Sequence, residues 1–249
     1  MNLVFVGTAG CGKSSLTYRF GKWLEEELAV KVSYINLDPG AYNPQYKPSY
    51  DIREIITVEE LIREGLGPNG AMIRAAEIIE ERINEVSREI LSLQSDFKLI
   101  DTPGQMELFL FRSMGPRFVE EIGKQSITIT IYIMDPVLAS SPSGLAVSLM
   151  LSLITRFRLK VPVISIVNKS DLREIEYMEK YVADLDYLKS DLVFGDSGIM
   201  VDLAMRYVEI VDEFSKNFRI VKVSAKTGYG MSDLYTMIHE AICECGDMT

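Results

Sequence analysis

Gly7-Thr8-Ala9-Gly10-Cys11-Gly12-Lys13-Ser14 sets flexible glycines, a lysine and a hydroxyl side by side. The run fits G-x-x-x-x-G-K-[ST]. It stands in the context that pattern needs, after an apolar strand-like stretch (Asn2–Val6) and before an amphipathic helix. The amides of Gly10, Cys11 and Gly12 can curl around phosphate oxygens at a helix N-terminus, with Ser15 next in the same cradle. Lys13 would place its charge on β- and γ-phosphates, and the Ser14 hydroxyl suits Mg2+.

Three more stretches define base and chemistry. Asn168-Lys169-Ser170-Asp171 has the N-K-x-D form and follows the apolar run Val161–Val167. The Asp171 carboxylate can accept from both N–H groups on the Watson–Crick edge of guanine. Adenine lacks that donor pair and would leave a buried carboxylate unpaired, a discrimination of roughly 10⁴ or more. Lys169 can lie along the base, and Asn168 can bridge to the phosphate loop. Ser224-Ala225-Lys226, after the run Arg219–Val223, stands where a backbone amide closes over such a base. Asp101-Thr102-Pro103-Gly104 fits D-x-x-G. Asp101 can hold Mg2+ through water, and the Gly104 amide can sense a γ-phosphate. Gln105 and Glu107 follow, either of which could orient an attacking water; Glu107 equally fits a plain first-turn helix glutamate. Asp38 ends another strand-like run at the same rim. It could polarise water, hold the metal's shell, or form a turn before Pro39.

Strands must bring these segments to one rim. Runs at Asn2–Val6, Val32–Leu37, Phe97–Ile100, Thr128–Met134, Val161–Val167 and Arg219–Val223 read as strands. Helical patterns lie at 14–28, 106–123, 143–159, 173–190, 197–216 and 230–243. In the first of them Leu16, Phe20, Trp23, Leu24 and Leu28 share a side. The alternation predicts an α/β fold, three layers around a mostly parallel sheet, with ligands at the carboxyl ends of the strands. The chain reads as a single domain over 1–249.

A helical insertion at about 45–95 interrupts the alternation and carries no strand signal. Thr57-Val58-Glu59-Glu60 is a capping box opening a short helix to Arg63. Residues 65–70, Gly-Leu-Gly-Pro-Asn-Gly, make a turn. A long helix over 71–93 follows, with Met72, Ala76, Ile79, Ile83, Val86, Ile90 and Leu93 in a heptad seam. That seam would pack on its own domain, on a second subunit, or on a client protein. The loop 39–50, with Tyr42, Tyr46 and Tyr50, is expected to move with nucleotide state.

The 249 residues are 47% apolar and 25% charged, with a net charge of −10, which opposes a nucleic-acid footprint. No secretory signal and no membrane-spanning run is read, so a cytoplasmic protein is expected. Three cysteines, Cys11, Cys243 and Cys245, have no metal-ligand spacing. Cys243-x-Cys245 reads as redox-active or as small residues near a fraying C-terminus. His239 reads as an ordinary helix residue.

Taken together, the phosphate loop, Asp38-Pro39, Gly67-Pro68-Asn69, Asp101-Thr-Pro-Gly-Gln105, Asn168-Lys-Ser-Asp171 and Ser224-Ala-Lys226 resemble the GPN-loop GTPases over the whole chain. The resemblance implies a P-loop NTPase fold, GTP hydrolysed to GDP with Mg2+, and a homodimer. It implies that Gly67, Pro68 and Asn69 of one subunit reach the other's site, where Asn69 contacts the γ-phosphate or released phosphate. The alternative is that Asn69 takes the left-handed backbone of a turn. It also implies that Asp38 positions the attacking water, with Gln105 and Glu107 in support. Thr8 stands where many related dimeric ATPases carry a second lysine, so slow intrinsic turnover is expected. A protein client, such as RNA polymerase or its assembly factors, is implied by the resemblance alone. Two other readings remain: an assembly or chaperone-like factor whose client binding is reset by hydrolysis, and a partitioning or metal-insertion ATPase. Asn168-Lys-Ser-Asp171 opposes the second.

Overall fold

In the computed structural model, which describes residues 1–193, 199–215 and 220–246, β1 (Asn2–Gly7) is buried along its length. Leu3 and Phe5 join one apolar cluster and Val4 and Val6 another, so alternate side chains feed cores on opposite faces of a sheet. In chain order there follow α1 (Lys13–Leu28), β2 (Val32–Asn36), β3 (Tyr50–Asp51), α2 (Val58–Arg63), α3 (Pro68–Glu81) and α4 (Ile83–Ser92). Next come β4 (Phe97–Asp101), α5 (Met106–Leu110), α6 (Met114–Gly123), β5 (Thr128–Met134), α7 (Pro136–Ala139) and α8 (Pro142–Leu159). The chain continues through β6 (Val163–Val167), α9 (Ile175–Ala183), α10 (Leu185–Val193), α11 (Ile199–Ser215), β7 (Val221–Lys222) and α12 (Met231–Gly246).

The strand order is β3-β2-β4-β1-β5-β6-β7, and every described pairing is parallel. Strand order reverses around β1, whose carboxyl end carries the phosphate loop. This is the P-loop NTPase α/β fold. Leu16, Phe20 and Leu24 of α1 are fully buried beneath one face, with Trp23 and Leu28 packed partly against them.

Several expected elements are divided. The helix over 106–123 is two, α5 and α6, and 173–190 is likewise α9 and α10. At the first break α6 folds back onto the end of α5. A Cβ on Gly115 would lie 2.0 Å from the Phe109 carbonyl oxygen, so that approach requires glycine. The strand expected from Val161 starts at Val163, because Pro162 has no N–H to donate to the ladder. Arg219, and residues 197, 198 and 216 of the expected helix over 197–216, lie outside the described residues, as does the side chain of Cys245. Cys243 is exposed. His239 stacks edge-on against Tyr235.

The insertion is not wholly helical. Tyr50–Asp51 adds β3 to the sheet edge beside Ile35–Asn36, too short for any periodicity to reveal. The capping box is present: the Glu60 amide donates to Thr57 Oγ1 at 3.2 Å, and the Thr57 amide to Glu60 Oε2 at 2.9 Å. Thr57→Ala should therefore cost about 1 kcal/mol of stability, measurable as a lower urea midpoint; an unchanged midpoint would show the cap contributes nothing. The expected 71–93 helix starts earlier, at Pro68, and is interrupted at Arg82, yet the heptad face runs through both pieces. Ala76, Ile79, Ile83, Val86 and Ile90 are buried in the main core, Leu93 packs partly against it, and Met72 is half-buried. The seam is therefore spent within the chain and offers no broad surface to a second subunit or client.

Candidate active site

The phosphate loop is strained where it must be. Gly12, preceding α1, has φ 93°, and a Cβ there would lie 2.4 Å from Asn168 Nδ2. Lys13 is buried, and its ammonium donates to the carbonyls of Gly7 (2.8 Å), Thr8 (3.1 Å) and Gly104 (3.2 Å). Ser14 is exposed and Ser15 half-buried in the first turn of α1.

Parallel register brings the other segments to this rim. Phe5 pairs with Asp101 in one direction, and Asn36 pairs with Asp101 in the other. Thr102 Oγ1 donates to the Phe5 carbonyl at 2.6 Å, tying the D-x-x-G segment down. Asp38 is half-buried: its Oδ1 accepts from the Gly40 amide and its Oδ2 from the Gly104 amide, both at 2.9 Å. Gly104 thus meets Asp38 through its N–H and Lys13 through its C=O. The amide expected to sense a γ-phosphate is already paired with a carboxylate. Burial raises the Asp38 pKa above the ordinary carboxylate value, while the Gly40 and Gly104 amides and the charges of Lys13 and Arg53 pull it back.

Asp101 is buried, and its pKa is pushed up to about 6, chiefly by desolvation; the Ser14 and Tyr46 hydroxyls oppose the rise. Oδ2 accepts from Tyr46 Oη at 2.8 Å, while Oδ1 has no hydrogen-bond partner among the described residues. An orphaned buried carboxylate oxygen beside a serine hydroxyl is an all-oxygen donor set that fits Mg2+ approached through water. Among the described residues no cluster of three His, Cys, Asp or Glu could hold a metal alone, so such an ion would share its shell with water and phosphate.

The base-reading residues form a connected patch. Asn168 is buried; its Nδ2 donates to the Cys11 carbonyl (2.9 Å), and its Oδ1 accepts from the Ala225 amide (3.1 Å). It therefore bridges to the phosphate loop, as its type and place predict. Ser224 Oγ donates to Asp171 Oδ1 at 2.6 Å, which holds that carboxyl below its ordinary range. Asp171 is exposed as a residue, but its side chain is part-buried, and a base laid over it would complete the desolvation of the carboxylate. Lys226 is exposed, 3.9 Å from the Asp171 carboxylate. Lys169, at φ 59°, reaches Asp135 Oδ2 at 3.0 Å.

Gln105 is exposed at the start of α5, and Glu107 is exposed in that helix's first turn, where the plain helical reading also places it. Pro68 and Asn69 open α3 after Gly67, and Asn69 is exposed. Asn69 is helical, so the left-handed turn reading is excluded.

The sequence reading missed four residues here. Asp135 orients Lys169, and its Asp-Pro form at a strand end, shared with Asp38-Pro39, is a signal that could have found it. Asn36 Oδ1 accepts from the Asp38 amide at 3.0 Å, and its Nδ2 donates to Asp51 Oδ1 at 2.8 Å. Arg53 pairs with Asp51 and donates to the Ala41 carbonyl at 3.1 Å, bracing the turn after Asp38. No local pattern marked Asn36, Asp51 or Arg53.

A family model described as a conserved hypothetical ATP-binding protein matches residues 5–244. A GPN-loop GTPase of Pyrococcus abyssi is 41% identical over 256 residues, covering 100% of both chains. The crystal structure of a Pyrococcus abyssi GTPase in apo form superposes with a TM-score of 0.85 at 39% identity, covering 98% of each chain. GPN-loop GTPase 1 of Dictyostelium discoideum is 27% identical across 96% of this chain, which spans 60% of that longer protein. With these relatives and this rim of phosphate loop, D-x-x-G and N-K-x-D side chains, the chain belongs to the GPN-loop GTPase family.

Proposed function

We propose that the chain hydrolyses GTP to GDP and phosphate with Mg2+, as a homodimer in which each Gly67-Pro68-Asn69 tip completes the partner's site. The observation that carries the reading is the meeting at Gly104, where the phosphate-loop lysine, the D-x-x-G amide and the Asp38 carboxylate converge. Ser14 and Asp101 would hold Mg2+, which when bound neutralises charge on the β- and γ-phosphates. Asn168, Lys169, Asp171 and the 224–226 turn hold guanine. A γ-phosphate oxygen that takes the Gly104 amide must displace Asp38 from it. The freed carboxylate, with a pKa raised by burial, then polarises the attacking water. Gln105 and Glu107, exposed alongside, support that water. By the family resemblance the cycle serves protein-complex assembly.

The tip supports a role between subunits. Gly67 has φ −67°, and a Cβ there would meet nothing within 4 Å, so nothing among the described residues requires glycine. A second chain approaching closely would. Pro68 presets the first helical turn, no side chain caps α3, and its leading amides with the Asn69 side chain offer donors to phosphate. Leu66 and Ile62, both exposed, flank it.

The test mixes two inactive variants, Lys13→Ala and Asn69→Ala, under subunit exchange. In a symmetric dimer, random mixing leaves one intact site per mixed dimer, and activity should return to about a quarter of wild type. Mixed dimers that form and stay inactive would mean that Asn69 acts within its own chain or only shapes the loop, and would end the shared-site reading.

A further inference from the structure

One polar contact at this rim has no part in the reaction just described. Tyr46 lies in the loop after Asp38 that a sequence reading would leave to solvent, yet it is 5% exposed. Its ring stacks on Tyr34 of β2, with centroids 5.2 Å apart and planes 20° from parallel. Tyr34 in turn sits against Gly21 of α1, where a Cβ would lie 2.4 Å from the Tyr34 hydroxyl. Ring and loop are thus fixed against the sheet and the phosphate-loop helix. From that base the Tyr46 hydroxyl donates to Asp101 Oδ2, and the other oxygen, Oδ1, is buried without a partner.

We propose that Tyr46 is a positioning residue for the metal site: by holding Asp101 Oδ2 it fixes the carboxylate so that Oδ1 faces the hydration shell of the nucleotide's Mg2+. This inference rests on the assignment of Asp101 to that shell. A carboxylate acting through water is only as good as its orientation, and its own hydrogen-bond partners set that orientation. The phenol suits the task. Its hydroxyl is a single donor on a rigid ring, and the stack on Tyr34 fixes the direction in which it donates. Its place in the loop joining Asp38 to β3 also ties the metal's carboxylate to the segment that carries the water-polarising one. The Tyr34 hydroxyl, by contrast, is buried and unpartnered, so the stacked pair supplies an internal control.

The experiment follows release of a fluorescent GDP analogue from the full chain as Mg2+ is varied, with an EDTA series for the metal-free rate. Tyr46→Phe keeps the ring and its stack. It should raise the Mg2+ concentration that half-slows release by about 10–100-fold and leave the metal-free rate unchanged. Tyr34→Phe should shift neither, and Asp101→Asn should abolish the Mg2+ effect. A wild-type Mg2+ midpoint in Tyr46→Phe, with Asp101→Asn insensitive to Mg2+, overturns the role of Tyr46 and leaves the site standing. Release that quickens equally with and without Mg2+ makes Tyr46 a packing residue only, and also overturns it. Wild-type Mg2+ dependence in Asp101→Asn removes the metal assignment itself, and the inference with it.

Discussion

Asp38→Asn is expected to lower kcat for GTP by about 10²–10⁴-fold, the range for losing a positioned general base, with little change in KM. The exchange keeps side-chain volume but replaces a two-acceptor carboxylate by an amide with one acceptor. In the wild type Oδ1 and Oδ2 accept from the Gly40 and Gly104 amides. One of these contacts can survive; the other becomes donor against donor. KM is spared where the remaining amide oxygen keeps the Gly104 contact, since GTP then breaks that contact in either protein. A base works deprotonated, and burial raises the Asp38 pKa. Wild-type kcat should therefore rise with pH through a value above the ordinary carboxylate range, and the variant should lose that limb. Single-turnover hydrolysis across pH checks both, and a variant that keeps wild-type kcat would remove Asp38 from the chemistry.

The second large effect concerns the base. Asp171→Asn should erase most of a GTP-over-ATP preference on the order of 10⁴ and shift the enzyme towards xanthosine triphosphate. The carboxylate can accept from two guanine donors. An asparagine accepts from one and turns its NH2 towards the other, whereas xanthine presents a carbonyl there. The supporting contacts should survive, since Ser224 Oγ can still donate to an amide oxygen at the place of Oδ1, and Lys169 remains held by Asp135. Because the Asp171 side chain is only part-buried, the discrimination arises when the base covers it and strips its remaining water. Comparing kcat/KM for the three triphosphates is the check. An unchanged ranking would mean that another group reads the base, and would give weight to the ATP in the family model's description.

Much of the sheet was legible because its signals are local. β5 lies where its apolar run predicts, and β1 and β4 each run one residue further. The capping box and phosphate loop were equally readable, since partners three to eight positions apart leave a pattern in the chain itself. Where the reading failed, distant segments decided. The break at 111–113 comes from α6 folding onto α5, and β3 exists because Ile35–Asn36 offers an edge.

The same division runs through the site. The sequence by itself determined which chemical groups are present: phosphate loop, D-x-x-G, N-K-x-D and the Gly-Pro-Asn tip are contiguous motifs in which backbone geometry and side-chain type are set together. Only the tertiary structure decided how those groups are held. Tyr46 meets Asp101 across 55 positions, Asp38 meets Gly104 across 66, and Asn168 meets the phosphate loop across 157. It also decided that the insertion seam is core rather than surface. Such pairings depend on parallel register bringing strand ends to one rim, and no local periodicity encodes which residues will face each other there.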